Sequence, residues 1–392
     1  MLLEALFDLA DAGAQAQAAE ALPVPPLPDR LASVAPSGAG QAPPEAPGDA
    51  SMAVWEATLR HGEVSPSKLA QLWDGATGAI LLAFILSYHG LSLEVIGRFF
   101  GVHKTPGMRW LSPLAPVNWQ GAVQQSKRFF SGTVAVDEKW LKVAGVWWSL
   151  FVAVDHVAGF PLHVALLPSN ATPYCALFLL PLNALGYHPQ VIITDGWDAY
   201  GKAIARVFPN AQHLLCRFHA LRAALRRLRP QVPSGNARRR WADTLKALFR
   251  TPSKRTVQRR LDTLQSEAHG SPAQAVVTRL LAKLPQLLPA VGSTWRPTTS
   301  NAAERFLGAF DRFYRAKGPL QNPASAQKHV DLCMLGYVFE TFSAEAAAER
   351  QGRCPLQVAG YNVEAIPLFH VLNRPNPSRL RHASAAGYDL AA

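Results

Sequence analysis

The sequence predicts an α/β fold built on a mixed sheet, and three observations carry that reading. Thr133 to Val143 alternates apolar and polar residues, Val146 to Val154 is a near-continuous apolar run, and Leu162 to Leu167 is a third short strand. Thr172 to Leu185 then reads as a helix, Val191 to Thr194 as a buried strand, Ala199 to Val207 as a helix and His213 to Leu215 as a brief strand. Three strands followed by helix, strand, helix, strand describe a mixed α/β sheet. The 392 residues are 49% hydrophobic and 17% charged, enough to bury a sizeable core and more than one cooperative unit.

The segments around this core differ from it. Residues 1 to 50 hold eight prolines, fourteen alanines and one basic residue against seven acids, a composition expected to stay mostly disordered apart from a short helix within residues 2 to 20. Residues 51 to 130 read as a helical domain, with helices at Ser65 to Asp74 and Ala76 to His89. Ser92 then stands as an N-cap before Leu93, Ile96 and Phe100 on one helical face, Gly101 permits a tight turn, and a further helix runs to Leu111. This is a helix-turn-helix pattern, which serves either to read DNA or as a packing module. After Arg217 helical periodicity dominates, with breaks at Pro230 to Gly235, near Pro252 and at Gly270 to Pro272. Helices at Ala302 to Arg315 and Ala324 to Phe342 close the ordered part, and a loop-rich tail follows.

Charge narrows the class of partner. The chain carries 39 Lys and Arg against 27 Asp and Glu, a net +12. Between Gly201 and Arg260 there are 16 basic residues and one acid, Asp243, so this block holds +15 and the remainder of the chain is −3. Arg222, Arg226 and Arg229 share one helical face, and Arg238, Arg239 and Arg240 extend it. Clustered guanidinium groups suit phosphate oxygens, although the same pattern also suits a merely solvated face. Four scattered cysteines make a poor disulfide framework and predict a reducing compartment. Acids at Glu4, Asp8 and Asp11 argue against a secretory signal, and the most apolar run, Ala79 to Leu86, is too short to span a bilayer.

Two carboxylates follow β-branched runs. Asp137 finishes the apolar strand of Thr-Val-Ala-Val-Asp-Glu-Lys-Trp, and Asp195 finishes that of Val-Ile-Ile-Thr-Asp-Gly-Trp. A carboxylate at a strand end is a rigid mounting for a divalent-metal ligand, and it is equally a common turn residue. Glu304, in Thr-Thr-Ser-Asn-Ala-Ala-Glu-Arg, offers a third carboxylate from a helix; Asn301 with Glu304 also forms a capping-box pattern. Of the neighbouring acids Glu138, Asp155 and Asp198, the last two read as structural, Asp155 before a turn through Gly159 and Asp198 as a helix cap. His213, Cys216 and His219 have the spacing of three zinc ligands, but no second ligand pair accompanies them, so a structural zinc is not expected.

Taken in order, Val-Ala-Val-Asp-Glu-Lys-Trp around Asp137, Ile-Ile-Thr-Asp-Gly around Asp195, Cys-Arg-Phe-His from Cys216 to His219, and Thr-Thr-Ser-Asn-Ala-Ala-Glu-Arg from Thr298 to Arg305 resemble the DDE transposases of bacterial insertion sequences. The resemblance is best to the mutator-like group and its relatives with a helical insertion before the third acid, and it spans about residues 90 to 342. It implies a ribonuclease H-like core (131–230 and 297–342), a basic all-α insertion (231–296), a tail (343–392) and an N-terminal helix-turn-helix domain (51–130). It further implies that Asp137, Asp195 and Glu304 are the catalytic acids holding two Mg²⁺ or Mn²⁺ ions for DNA cleavage and strand transfer, with His219 at the scissile phosphate. A bland alternative for that element has Cys216 buried beneath the helix and His219 capping a turn. His103, Lys104, Thr105 and Arg109 would read the element's terminal repeats. Arg222, Arg226, Arg229, Arg238, Arg239, Arg240 and Arg305 would hold double-stranded DNA. A homodimer or larger assembly on DNA in the bacterial cytoplasm follows from the same resemblance. A non-catalytic DNA-binding regulator, a decayed copy and a metal-dependent nuclease remain the alternatives.

Overall fold

The computed structural model describes residues 83–363, apart from 101–110, 112–118, 233–234, 249, 251, 294–295, 316 and 344–345. The chain divides into two units, the first built mainly from Asn118–Gly308 and the second from Val34–Val117, Ala309–Leu320 and Ala324–Ala392. Residues 1–82 lie outside the described part, and with them the acidic arm and the helix expected at Ser65 to Asp74.

Among the described residues the second unit starts with a helical stretch, residues 83–88, followed by α1 (Leu93–Phe99). Ser92 caps α1 as its sequence predicts, its hydroxyl accepting a hydrogen bond from the Val95 N–H at 3.2 Å, and Ile96 is fully buried. The turn and second helix of the expected helix-turn-helix, with His103, Lys104, Thr105 and Arg109, lie outside the described residues.

The first unit opens with α2 (Trp119–Ser126) and then the strands β1 (Thr133–Val143), β2 (Val146–Asp155) and β3 (Pro161–Leu167). Next come α3 (Thr172–Ala184), β4 (Val191–Thr194), α4 (Asp198–Val207) and β5 (Gln212–Leu215). The strands form one mixed sheet in the order β3-β2-β1-β4-β5, antiparallel across β3-β2-β1 and parallel across β1-β4-β5. The α/β class with a mixed sheet is therefore as the sequence predicts. Ala144 and Gly145, both at positive φ, make the two-residue turn between β1 and β2 that matches the twist of a hairpin. All four residues of β4 are buried, which explains why it reads as a continuous apolar run.

Helices α5 (Arg217–Gln231), α6 (Gly235–Leu248), α7 (Lys254–Ala268), α8 (Gln274–Leu281) and α9 (Leu284–Leu287) follow β5. They share a core that includes Ala224, Leu228, Leu245, Leu261 and Leu280, and that reaches Leu215 at the end of β5. Thus α5 continues directly from the sheet, and its inner side packs the helical layer. Pro230 lies in the last turn of α5, which ends at Gln231 while α6 opens at Gly235, within the break expected at Pro230 to Gly235.

The last long helices are α10 (Asn301–Arg315) and α11 (Pro323–Phe339), with a short α12 (Pro355–Val358). In the second unit α11 packs on residues 83–88 at very short range: a Cβ on Gly336 would stand 2.2 Å from the Tyr88 ring. The Tyr88 hydroxyl donates to Glu340 at 2.6 Å, and the Lys317 ammonium donates to the Ser87 carbonyl at 2.8 Å while lying over the Phe313 ring. Among the described residues no helix is long and apolar enough to cross a membrane.

Candidate active site

Strand register brings the first two acids together. Thr133 pairs with Val191 and Ala135 with Ile193, so the same offset carried two residues further sets Asp137 level with Asp195. On the other side Thr194 pairs with Leu215, which sets Asp195 level with Cys216, and the Cys216 N–H donates to the Thr194 carbonyl at 2.8 Å. Asp137, Asp195 and Cys216 therefore stand at one edge of the parallel half of the sheet. One expectation needs correcting: Asp137 does not finish its strand. β1 runs on to Val143 because β2 continues the antiparallel ladder after β4 has stopped.

Asp137 is only 9% exposed, and its carboxylate accepts a hydrogen bond from the Glu138 N–H at 2.9 Å. Burial, reinforced by the charges of Asp195 and Glu138, pushes its carboxyl up to about 7, while His219 pulls the other way. Glu138, the next residue on β1, accepts from the Asn170 amide at 2.9 Å and from the Tyr200 hydroxyl. Burial raises its carboxyl too, and those two hydrogen bonds oppose the rise. Asp195 is half-buried and accepts from the Trp197 N–H at 2.9 Å. Asp155 is fully buried and accepts from the N–H groups of Ser131, Val157 and Ala158, which makes it a loop anchor, as its sequence context suggests. Asp198 opens α4 from inside the helix, Trp197 standing at the cap position expected for Asp198.

Glu304 lies in the first turn of α10, and His219 in the first turn of α5. The His219 Nδ1 is 3.7 Å from the Glu304 carboxylate, and the Ser300 hydroxyl lies between them, 3.4 Å from His219 Nδ1 and donating to Glu304 at 3.2 Å. The helix opens at Asn301, so the capping-box pairing of Asn301 with Glu304 is displaced: Ser300 precedes the helix, and its carbonyl accepts from the Ala303 and Glu304 N–H groups. A backbone hydrogen bond from Arg217 N–H to the Thr298 carbonyl, 2.9 Å, ties the approach to α10 to the start of α5.

Cys216 is fully buried at the N-terminus of α5. Burial works against its thiolate, but hydrogen bonds from His219 and Ser300 outweigh burial and hold the thiol below its usual range. The reciprocal bond to Cys216, with the charges of Cys216, Asp137 and Glu304, raises His219 to about 9 against the effect of its own burial. The ligand atoms of Cys216, His219 and Glu304 all lie within 4.8 Å of one another. His213 is not part of this group. Its Nε2 bonds the Thr194 hydroxyl at 3.0 Å and its Nδ1 the Gln286 amide at 2.9 Å.

A second set of residues at the site carries no local signal in the sequence. Lys283, between α8 and α9, donates to the Gly196 carbonyl at 3.1 Å, directly after Asp195, and Gln286 reaches Thr194 through His213. A single Lys in the apolar run Leu-Leu-Ala-Lys-Leu-Pro holds nothing that points 87 residues back along the chain. Trp197, which bonds Asp195, and Phe218, whose ring lies 5.7 Å from that of His219, are 48% and 52% exposed.

Arg222, Arg226 and Arg229 are exposed on α5, opposite the buried Ala220, Ala224 and Leu228. On α6 Arg239 and Arg240 are exposed and Arg238 is half-buried, and Arg305 is exposed on α10 next to Glu304. The basic face thus starts on the helix that carries His219.

Residues 148–223 match the MULE transposase domain, a stretch that holds Asp195, Cys216 and His219 and stops short of Asp137 and Glu304 at its two ends. The chain is 29% identical over 126 residues to the transposase for insertion sequence element IS257 in transposon Tn4003 of Staphylococcus aureus, covering 32% of this chain and 55% of that protein. It is 28% identical, over the same length and shares, to the transposase for insertion sequence-like element IS431mec of Staphylococcus aureus strain N315. The chain spans about half the length of these curated relatives. The resemblance to insertion-sequence transposases read from the motifs is borne out.

Proposed function

We propose that the chain is a DDE transposase that cleaves DNA at the ends of an insertion sequence and transfers the 3′ ends to a target. Asp137, Asp195 and Glu304 are its catalytic acids on a ribonuclease H-like core. The observation that carries this reading is the placement of Asp137 and Asp195 side by side at the sheet edge, with Glu304 3.7 Å from His219 on the helix that follows β5. Two adjacent carboxylates, one nearly buried and pushed up to about 7, are a hard oxygen donor set that a divalent cation relieves. The residues therefore fit Mg²⁺ or Mn²⁺. Bound there, such ions supply activation of a water or 3′-hydroxyl and stabilisation of the leaving oxygen.

The protein's own groups supply the rest. β1 and β4 hold Asp137 and Asp195 on a rigid frame, and the Trp197 N–H fixes one oxygen of Asp195. His219, raised to about 9, is an imidazolium at neutral pH and offers an N–H to a phosphate oxygen. Arg222, Arg226, Arg229, Arg239, Arg240 and Arg305 hold the duplex by its phosphates, with Arg238 beside them. The N-terminal residues His103, Lys104, Thr105 and Arg109 read the terminal repeats, and two chains or more pair the two ends in the cytoplasm.

A strand-transfer assay with Mg²⁺ on DNA carrying the element's ends tests the reading. Wild type joins DNA, whereas Asp137→Asn, Asp195→Asn and Glu304→Gln should each lose at least about a hundredfold in rate. Substituted proteins that join DNA as wild type does overturn the triad. Cutting without joining identifies a nuclease, and binding without either reaction a regulator.

A further inference from the structure

We propose that Cys216, His219 and Glu304 form a binding site for a borderline or soft divalent cation of the zinc class, separate in composition from the Asp137 and Asp195 pair. Occupancy of this site withdraws Glu304 from the catalytic set and switches the enzyme off. The binding claim stands on the geometry alone, and only the inhibitory consequence rests on the function proposed above.

The spacing fits such an ion. With Zn–N and Zn–O near 2.0–2.2 Å and Zn–S near 2.3 Å, the ligand atoms of a tetrahedral site stand roughly 3.3–3.7 Å apart. The His219 Nδ1 to Glu304 distance is already 3.7 Å, and all three ligand atoms lie within 4.8 Å of each other. The mounting is rigid. Cys216 follows β5 directly and His219 sits three residues later in the first turn of α5, so both approach from one side. Glu304 comes from the first turn of α10, and the Arg217 to Thr298 backbone bond fixes the two segments to each other.

Donor chemistry then separates this site from the neighbouring acids. A thiolate and an imidazole select Zn²⁺, Co²⁺ or Cd²⁺, whereas Mg²⁺ keeps to oxygen ligands and water. Three protein ligands leave a fourth position for water or a DNA phosphate oxygen. Binding releases the Cys216 thiol proton, and the His219 proton where it is charged, to solvent. Ser300, whose hydroxyl contacts both His219 and Glu304, moves from bridging the two ligands to supporting them from behind. In the proposed metal-bound geometry Glu304 is drawn to Cys216 and His219, so zinc-class binding and the Mg²⁺-dependent reaction compete for one side chain.

The experiment titrates the full-length, metal-free protein with Co²⁺ and reads the thiolate charge-transfer and tetrahedral ligand-field absorption. The expected result is roughly one ion per chain, displaced by Zn²⁺, with the thiolate band lost in Cys216→Ser and affinity at least about tenfold weaker in His219→Ala and Glu304→Gln. Asp137→Asn and Asp195→Asn should bind Co²⁺ as wild type does. Absence of a thiolate band, or wild-type Co²⁺ binding by Cys216→Ser, overturns the site. Because Cys216 is buried, the half-exposed Glu304→Gln serves as the second variant where Cys216→Ser does not fold. In the DNA cleavage assay at fixed Mg²⁺, added Zn²⁺ should lower the rate at least about tenfold, and a zinc-selective chelator should restore it. Zinc binding without inhibition overturns the competition for Glu304. Co²⁺ binding in a protein that never cleaves DNA leaves the metal site standing and removes the transposase reading instead.

Discussion

Replacing Asp137 by Asn removes a carboxylate that folding places in a poor environment, and the size of the gain follows from the structure. Burial first, then Asp195 and Glu138, raise its carboxyl from 3.8 to about 7. A folded-state pKa above the unfolded one means that the unfolded chain loses this proton first. As pH rises from about 4 to 7 the native state is therefore progressively penalised; above about 7 the penalty is constant, and below about 4 it vanishes. The shift of about three units corresponds to a ceiling of about 4 kcal/mol. Asn keeps the hydrogen bond from the Glu138 N–H, but His219 loses one of the charges that hold it protonated, so part of the gain is given back. We expect Asp137→Asn to be more stable than wild type by about 1–3 kcal/mol at pH 8 without divalent ions. That appears as a melting temperature several degrees higher, at roughly 2–4 °C per kcal/mol. Urea unfolding at pH 8 and again near pH 4 measures it, and the difference between the proteins should disappear at the lower pH. Mg²⁺ at pH 8 should stabilise wild type more than the variant, since the cation relieves the repulsion that the substitution removes. A variant no more stable than wild type at pH 8, or an advantage that is the same at both pH values, refutes the reasoning.

Two further outcomes follow from residues outside the acids. Lys283→Met removes a charge-assisted hydrogen bond to the Gly196 carbonyl, a class of interaction worth about 1.5–3 kcal/mol, and should raise the Mg²⁺ concentration giving half-maximal DNA cleavage about tenfold while leaving DNA affinity unchanged. Replacing Arg222, Arg226 and Arg229 together by Gln should weaken DNA binding without altering Mg²⁺ dependence. By fluorescence anisotropy across a salt series, the slope of log affinity against log salt should become shallower by about 2–3, at roughly 0.9 for each phosphate that the protein no longer neutralises.

The strands were legible because each matches a pattern that burial imposes. The two short strands β4, buried throughout, and β5, buried in its inner half, read as brief apolar runs, and β1 alternates only where it projects past β4: there Leu141 and Val143 are buried while Trp140 and Lys142 are exposed. That same projection is why Asp137 reads as a strand end. The residues before it are all buried and those directly after it are not, so the sequence records the change of environment where β4 stops, while the backbone ladder with β2 continues unbroken to Val143. Hydrophobic pattern reports side-chain burial, and strand length depends on a backbone partner that the pattern does not see.

The same limit explains which parts of the site could be read. Asp137 and Asp195 are visible because each acid follows a β-branched run, which is a local signal; the register that pairs Thr133 with Val191 then sets the two level. The contacts of Glu304, Lys283 and Gln286 depend instead on how helices far along the chain pack against β4 and β5, which no short window encodes. Sequence spacing does not separate the two histidines. His213 lies three residues before Cys216 and His219 three after, an apparently symmetric pair, yet Cys216 sits at the change from strand to helix. On the strand side the chain is extended, and His213 bonds Thr194 of the neighbouring strand. On the helix side the chain turns back, so His219 and Cys216 meet on one face beside Glu304. Three residues of separation mean different distances in the two conformations, and the local backbone decides which histidine joins the thiol.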